Sequence, residues 1–112
     1  MKYLNKIQSI AYQRFFLTGN PGQRIIMTLR FLPSQEMWMM DIAYDDFKTN
    51  GIAIVNSPNL LRGYKNIIPF GISCNSNDGI DPHFIDDFAT QRVNLYLLTA
   101  ADVEEIEAGL FE

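Results

Sequence analysis

The stretch QRIIMTLRFLPSQEMWMMDIAY, residues 23–44, decides the fold of this chain of 112 residues. Apolar and polar side chains alternate in residues 23–32, and after a break at residues 33–36 they alternate again in residues 37–44. A period of two places every second side chain on one face of a β-strand. The stretch therefore predicts a β-hairpin. Its buried face is expected to consist of Ile25, Met27, Leu29, Phe31, Trp38, Met40, Ile42 and Tyr44.

Short strands are also predicted on both sides of this hairpin. Before it, residues 18–22 are rich in Gly, Asn and Pro, which permit a tight turn. After it, residues 45–51 end in Asn50-Gly51, a turn signal that precedes a short β-branched run. Pro69 favours an edge or a bend in the strand that contains it. The predicted strands cover residues 11–17, 23–32, 37–44, 52–55, 67–74 and 92–98.

The end of the chain is acidic and is predicted to form a short helix. Thr99 and Asp102 have the spacing of a capping box, in which the Thr hydroxyl accepts a backbone N–H and the acid reaches back. Gly109 is expected to end the helix. Five acidic and no basic residues follow Thr99, so residues 99–112 form an acidic helix or tail. The inner face of the helix is expected to consist of Val103, Ile106 and Leu110.

The predicted fold class is mainly β, with five to six short antiparallel strands and a short C-terminal helix. Strands of this number and length must close into a small barrel or pack as a two-layer sandwich to bury their apolar faces. The pattern alone does not choose between the two. A length of 112 residues, 47% of them hydrophobic, fits a single β-rich domain over residues 1–112. The irregular stretch of residues 75–90 is expected to be a surface loop with a specific role.

Charge and cysteine content make several functional classes poor candidates. The formal net charge is -4, but residues 1–98 carry nine basic and eight acidic groups and are near neutral. That balance lacks the basic surface by which a nucleic acid is usually held. Cys74 is the only cysteine, so it forms no internal disulfide and is expected to be a buried, inert thiol in a reducing compartment. Residues 1–16 contain no apolar run long enough for a signal peptide or a membrane span, so we expect a protein that is cytoplasmic when made and has no membrane partner.

No residue pattern predicts a catalytic, cofactor or metal site. Structural zinc sites use several Cys or His ligands, whereas this sequence offers only Cys74 and His83. A calcium loop with Gly79 at its sixth position would place Ile85 where a bidentate Glu is needed. Neither a nucleophile elbow nor a Gly-rich phosphate loop occurs. The chain is therefore not expected to be an enzyme.

Two acidic clusters have both a chemical and a structural interpretation. A carboxylate beside His83 can act with it as an acid/base pair, and Asp45 with Asp46 can act as paired carboxylates. However, loops collect Asp because it caps turns, and adjacent residues at a strand end point to opposite sides. The structural interpretation is preferred for both clusters. The cluster around His83 consists of Asp81, His83, Asp86 and Asp87.

The second strand of the hairpin carries apolar side chains on both faces. Trp38 and Met40 are predicted to lie in the core, whereas Met37 and Met39 lie on the opposite face with Asp41. An assembly contact explains this distribution, and so does a strand that is buried on both faces. The sequence leaves both interpretations open.

Taken in order, these pieces resemble the phage baseplate plug proteins, which are small, mostly-β proteins of contractile tails. The resemblance covers residues 24–32, Trp38 with Asp41-Ile42, Gly51-Ile52, Asn59-Leu60-Leu61 with Tyr64, and Asp86-Asp87-Phe88 before residues 93–98. It implies a structural virion protein that is assembled in the host cytoplasm and built into the tail baseplate. The implied partners are the tail hub, other baseplate proteins and copies of itself around the tail axis. No reaction and no cofactor are implied.

The chain departs from the plug pattern at Asn59, where an acid is expected, in a longer turn at residues 46–50, and in the acidic segment after Thr99. We expect residues 75–90 and 99–112 to carry the subunit contacts, the latter against a basic neighbouring surface. Deleting residues 100–112 is then expected to leave folding intact but to stop assembly.

Two alternatives come from other classes of protein. The first is a small β-barrel module that binds single-stranded nucleic acid through a basic and aromatic platform. The second is a hydrolase that uses His83 and the nearby Asp residues. The residues of the nucleic-acid platform would be Arg24, Arg30, Tyr12 and Phe31.

Overall fold

The computed structural model describes residues 1–18 and 24–110, with only the backbone of Leu110 included. Seven strands and one α-helix follow one another in these two ranges. The helix α1 spans Ala100–Leu110, and one turn of 3-10 helix spans Arg62–Tyr64. The strands are β1 Lys2–Tyr3, β2 Tyr12–Thr18, β3 Arg24–Leu32, β4 Met37–Tyr44, β5 Phe47–Ala53, β6 Gly71–Ser76 and β7 Val93–Leu98.

The strands form two antiparallel sheets. Strands β2, β3, β4 and β5 lie side by side in chain order, and β1, β7 and β6 form the second sheet in that order. Within the described residues, no strand of one sheet pairs with a strand of the other, so the sheets are not closed into a barrel. The mainly-β class and the two-layer sandwich are therefore confirmed, and the barrel is wrong. Strand β1 raises the number of strands to seven, because two residues are too few to show a period in the sequence.

The core lies between the two sheets. On the side of β3 and β4, the alternation in residues 23–44 predicts which residues form the core. Phe31 and Tyr44, near opposite ends of this face, are half-buried. Ile72 of β6 and Leu95 of β7 are fully buried and belong to the same cluster. Each such side chain stabilises the fold by about 1.5–3 kcal/mol through removal of apolar surface from water. The predicted core residues that expose no more than 1% of their surface are Ile25, Met27, Leu29, Trp38, Met40 and Ile42.

The long turn predicted at residues 45–51 is wrong, because β4 and β5 are joined through Asp45 and Asp46 alone. Tyr44 pairs directly with Phe47 across this turn. Asp45 has a φ of 50°, a left-handed conformation that Asp tolerates better than most residues. The chain therefore reverses within two residues, and the third strand of the meander begins five residues earlier than predicted.

Asn50-Gly51 lies inside β5 and forms a β-bulge rather than a turn. The pairing of β4 with β5 shifts between Met40 and Ile42, so one residue of β4 faces two of β5. Gly51 has a φ of 76°, which a residue without Cβ adopts at low cost. Its N–H donates to the Asp41 carboxylate at 2.8 Å, which fixes the bulge from the neighbouring strand.

Strand β2 follows its predicted range closely, whereas β6 begins later than predicted. Strand β2 lies within one residue of the predicted range, whereas residues 19–22 of the predicted turn lie outside the described residues. Strand β6 begins at Gly71, after Pro69, because Pro has no N–H to donate to a ladder. The segment before β6 runs along its free edge, where Ser57 and Cys74 exchange backbone hydrogen bonds of 3.0 and 2.9 Å.

The capping box of α1 is confirmed. Asp102 N–H donates to Thr99 Oγ1 at 3.2 Å, and Thr99 N–H donates to the Asp102 carboxylate at 3.0 Å. Val103 is buried and Ile106 is half-buried, as predicted for the inner face, whereas the side chain of Leu110 lies outside the described part. Gly109 does not end the helix, which continues to the next residue. In the described ranges, no helix is long and apolar enough to cross a membrane.

Candidate interaction surfaces

The loop between β6 and β7 is held together by one arginine. The Arg92 guanidinium donates to the two carboxylate oxygens of Asp87 at 2.9 and 2.8 Å, and to the Asp78 carboxylate at 2.7 Å. It also donates to the backbone carbonyls of Ile80 and Asp81, each at 3.2 Å. A planar guanidinium with five N–H donors can serve several acceptors at once. Arg92 therefore joins the two arms of the loop.

Asp87 is the buried partner in this network. Its side chain exposes 3% of its surface, and its carboxylate also accepts the backbone N–H groups of His83 and Phe84 at 2.7 and 2.8 Å. Burial alone would raise the pKa of Asp87, but the hydrogen bonds from Arg92, Phe84 and His83 outweigh burial and lower it to about 2. The same ion pair raises the pKa of Arg92. The carboxylate therefore stays ionised at neutral pH.

The core holds the loop from the other side. Trp38 Nε1 donates to the backbone carbonyl of Phe84 at 3.0 Å, so the buried indole has its partner. The Phe88 ring packs edge-on against Trp38 with 5.1 Å between the ring centroids. Polar contacts on one side and aromatic packing on the other thus fix the middle of the loop.

This fixed loop presents three apolar side chains to solvent, which we call the apolar knob. Ile80, Phe84 and Ile85 expose 54%, 55% and 37% of their surface. Phe84 is held through its own backbone, because its N–H donates to Asp87 and its carbonyl accepts from Trp38. The exposed Asp81 and Asp86 are the sequence neighbours of Ile80 and Ile85. Three exposed apolar side chains on one ordered loop make it a candidate interaction surface.

The residues considered as an acid/base cluster do not form one. Asp87 is committed to Arg92, and Asp86 lies exposed at the surface. His83 Nδ1 lies 3.0 Å from the Asp81 carbonyl and 3.2 Å from a nitrogen of Arg92. Among the described residues, no carboxylate hydrogen-bonds to the His83 ring, and no group of three His, Cys, Asp or Glu side chains is placed to hold a metal.

Cys74 lies on β6 and is buried, as predicted. Burial, with the nearby charge of Asp81, raises the pKa of the Cys74 thiol to about 12. A thiol with so high a pKa is almost wholly protonated and is a weak nucleophile.

A groove opens along the edge of the sandwich between β1 and β2, and we call it the edge groove. It encloses about 370 Å³, near the lower limit of the roughly 300–1,000 Å³ typical of ligand pockets. Lys2 and Lys6 lie exposed at its rim, and no described residue forms an ion pair with either. The apolar part of its lining includes Leu4, Ile7, Phe15, Leu17, Met27 and Leu97.

The outer face of the four-stranded sheet does not bring the proposed nucleic-acid platform together. Tyr12 is 62% exposed and pairs in register with Arg30, but Arg30 forms an ion pair of 3.0 Å with Asp41. Phe31 lies on the core side, where its ring centroid is 5.3 Å from that of Trp38. Arg24 lies at the other end of β3. The four residues therefore do not share one surface.

Strand β4 is not equally buried on its two faces. Trp38 and Met40 are fully buried on the core face, whereas Met37 and Met39 are half-buried on the outer face. A strand covered on both sides is therefore a poor explanation of its composition. The assembly contact stays a prediction.

The acidic helix directs one of its carboxylates toward its own chain. Glu107 accepts hydrogen bonds from Arg62 Nε at 2.8 Å and from Lys65 Nζ at 3.0 Å, and these bonds lower the pKa of Glu107. Glu104 and Glu105 are exposed. The acidic surface that is available to a neighbour is therefore smaller than the sequence indicates.

Sequence reasoning missed both the Arg92 network and the edge groove. In the alternation of residues 92–98, Arg92 takes a position that is expected to face solvent. The alternation alone therefore gives no reason to place it against a buried acid. The available signal is the single Arg that follows an acidic loop. The groove had no signal, because the strand edges that form it are far apart in sequence.

A comparison with protein families gives a match. The model of a family described as "Cyanophage baseplate Pam3 plug gp18" matches residues 1–100. The matched region contains the whole of residues 23–98, on which the resemblance to baseplate plug proteins rests, and confirms it. No curated protein matches the chain.

Proposed function

Since the chain belongs to the cyanophage baseplate plug family, we propose that it is a non-enzymatic structural subunit that docks on the hub of a contractile phage tail. The observation that carries the proposal is the match over residues 1–100, which includes every strand and both surfaces described above. A baseplate protein is a component of the virion tail. Assembly in the host cytoplasm, with residues 1–112 acting as one domain and holding no catalytic, cofactor or metal site, belongs to the same proposal.

The ordered β6–β7 loop supports a docking role. Its backbone is fixed before any partner binds, because Arg92 and Asp87 hold it on one side and Trp38 on the other. Docking with a loop that is already ordered avoids the entropic cost of ordering it on binding. The proposed partners are the tail hub, other baseplate proteins and further copies of this chain.

The acidic segment takes part in the fold, so its deletion does not test subunit contacts alone. Deleting residues 100–112 would remove the buried Val103 and the ion pairs of Glu107, so loss of assembly could reflect damaged packing. The double substitution Glu104→Lys and Glu105→Lys alters exposed charges alone. We expect it to weaken binding to a basic neighbouring surface while the melting temperature stays within a few degrees of the unsubstituted protein.

Cryo-electron microscopy of intact phage particles tests the proposed function. Density that fits the sandwich and α1 is expected at the centre of the baseplate, in contact with the hub. Particles from a phage that lacks the gene, with the gene restored in trans, are the control. If complete particles contain no such density in the extended or the contracted state, the proposal is wrong.

A further inference from the structure

The apolar knob and the edge groove are separate surfaces, because none of the three knob residues lines the groove. The groove is lined by Met27 of β3 and Leu97 of β7. The knob is attached through Trp38, which pairs with Phe31 of β3. In the chain, the knob precedes Val93 of β7. From Met27 to Phe31, and from Leu97 to Val93, the strands rise by about 14 Å at about 3.4 Å per residue. The backbone that holds the knob therefore lies about 14 Å along the strands from Met27 and Leu97 of its own groove.

The two surfaces have complementary chemistry. The knob combines three exposed apolar side chains with Asp81 and Asp86, and the groove combines an apolar lining with Lys2 and Lys6 at its rim. Burying apolar side chains in an apolar groove is favourable, and the charges at the rim select the orientation and the partner. An acidic knob and a basic rim satisfy both requirements.

We propose that the apolar knob of one copy inserts into the edge groove of a second copy, so that the chains associate head to tail. The contact is heterologous, because different surfaces of the two copies meet, and such contacts build closed rings or open filaments. The inference rests on the proposed function only for the presence of neighbouring copies in the baseplate. It adds the two surfaces that meet and the direction of association.

Two variants separate the two halves of the contact. Phe84→Ser removes the largest side chain of the knob and leaves its backbone hydrogen bonds in place. The double substitution Lys2→Glu and Lys6→Glu reverses the charge of the groove rim at exposed positions. The matched controls are Ile67→Ser, at an apolar residue that is 66% exposed elsewhere, and the double substitution Arg24→Glu and Lys48→Glu, which changes the net charge equally.

Analytical ultracentrifugation over a range of concentrations gives the decisive result. The unsubstituted protein and both controls are expected to form dimers and larger species, and each test variant alone is expected to stay monomeric. An equimolar mixture of the two test variants should form dimers and nothing larger, because only one intact knob and one intact groove can meet. Circular dichroism and melting temperature confirm that each variant is folded.

Several outcomes would overturn the inference. An unsubstituted protein that stays monomeric at its highest soluble concentration, test variants that associate normally, or a mixture that forms no dimer would each do so. If Phe84→Ser instead abolishes binding to the purified hub and self-association is absent, the hub occupies the knob and the head-to-tail contact is wrong. The microscopy above decides the baseplate role separately, since a chain can sit in the baseplate without this contact.

Discussion

At the scale of single residues, Arg92 and Asp87 show how a buried charge is accommodated. Removing a carboxylate from water is costly unless other groups replace the hydrogen bonds of water. Asp87 receives two bonds from Arg92 and two from backbone N–H groups. The stability of the β6–β7 loop should therefore depend on Arg92 far more than on exposed arginines.

Arg92→Ala is expected to lower the free energy of unfolding by about 3 kcal/mol, because it leaves a buried carboxylate without its charge partner. Arg14→Ala, at an exposed residue without an ion pair in the described part of the chain, should change it by less than about 0.5 kcal/mol. Urea denaturation measures both values. Equal losses in the two variants would contradict the role given to Arg92.

Stability should also depend on pH through Asp87. Its pKa is about 2 in the folded state, below the usual 3.8, so its contribution is complete above about pH 4 and is lost as the pH falls toward 2. The size of that contribution is about 2 kcal/mol. Asp87→Asn should make the fall of the melting temperature between pH 4 and 2 shallower, and Asp86→Asn, at an exposed carboxylate, is the matched control. A profile that is the same in all three proteins would exclude this role of Asp87.

These residues also show what the sequence can predict at this scale. The Asp residues around His83 indicate a loop held by capping interactions, and Asp87 does accept two N–H groups of that loop. Arg92 turns inward to meet Asp87, and this depends on the path of residues 88–91. Local alternation contains no information about that path.

At the scale of elements, the crossing from β5 to β6 depends on a close approach at Gly71. A Cβ on Gly71 would lie 2.6 Å from Asn59 Oδ1, an atom that accepts the N–H groups of Leu61 and Ile72 at 3.0 and 3.2 Å. Asn59 is 3% exposed, so it has little room to move. This contact gives a structural reason for a small residue at the start of β6.

Gly71→Ala is expected to lower the free energy of unfolding by about 2 kcal/mol, through overpacking and strained hydrogen bonds to Asn59. Gly63→Ala is the matched control, because a Cβ there would meet no atom within 4 Å. It should stay within about 0.5 kcal/mol of the unsubstituted protein. Chemical denaturation of the two variants measures the difference, and a tolerated Gly71→Ala would mean that Asn59 can move aside.

Elements with a strong local period were the predictable ones. The hairpin of β3 and β4, strand β7 and the capping box of α1 follow from side-chain spacing alone. Asn50-Gly51 indicates a turn but forms a bulge, because Asn-Gly favours a positive φ in both structures. Only the pairing with β4 distinguishes them, and pairing is a property of two strands.

At the scale of the whole molecule, the sandwich buries Cys74 between its layers, and among the described residues no strand joins the two sheets into a barrel. The choice of a sandwich over a barrel could not be predicted, because it depends on how the edge strands meet. The knob and the edge groove likewise arise from segments that folding brings together.

Cys74 therefore provides a probe of global unfolding. In the native protein its thiol is buried with a pKa of about 12, so a thiol reagent should react with it only when the sandwich opens. The labelling rate should rise about a hundredfold in Arg92→Ala if that variant loses about 3 kcal/mol. Rapid labelling at the same rate in both proteins would instead indicate a local opening near β6.

The chain-order arrangement of β2 to β5 has a consequence for synthesis on the ribosome. Each of these strands pairs with its immediate neighbours in sequence, so the four-stranded sheet can form once residues 12–53 have emerged. Its apolar face stays uncovered until β6 and β7 follow, and β1 must wait for residues 96 and 97 to complete its ladder. We therefore expect chaperones that cover apolar surface to bind the nascent chain during this interval. Slower translation after residue 53 should prolong that exposed interval.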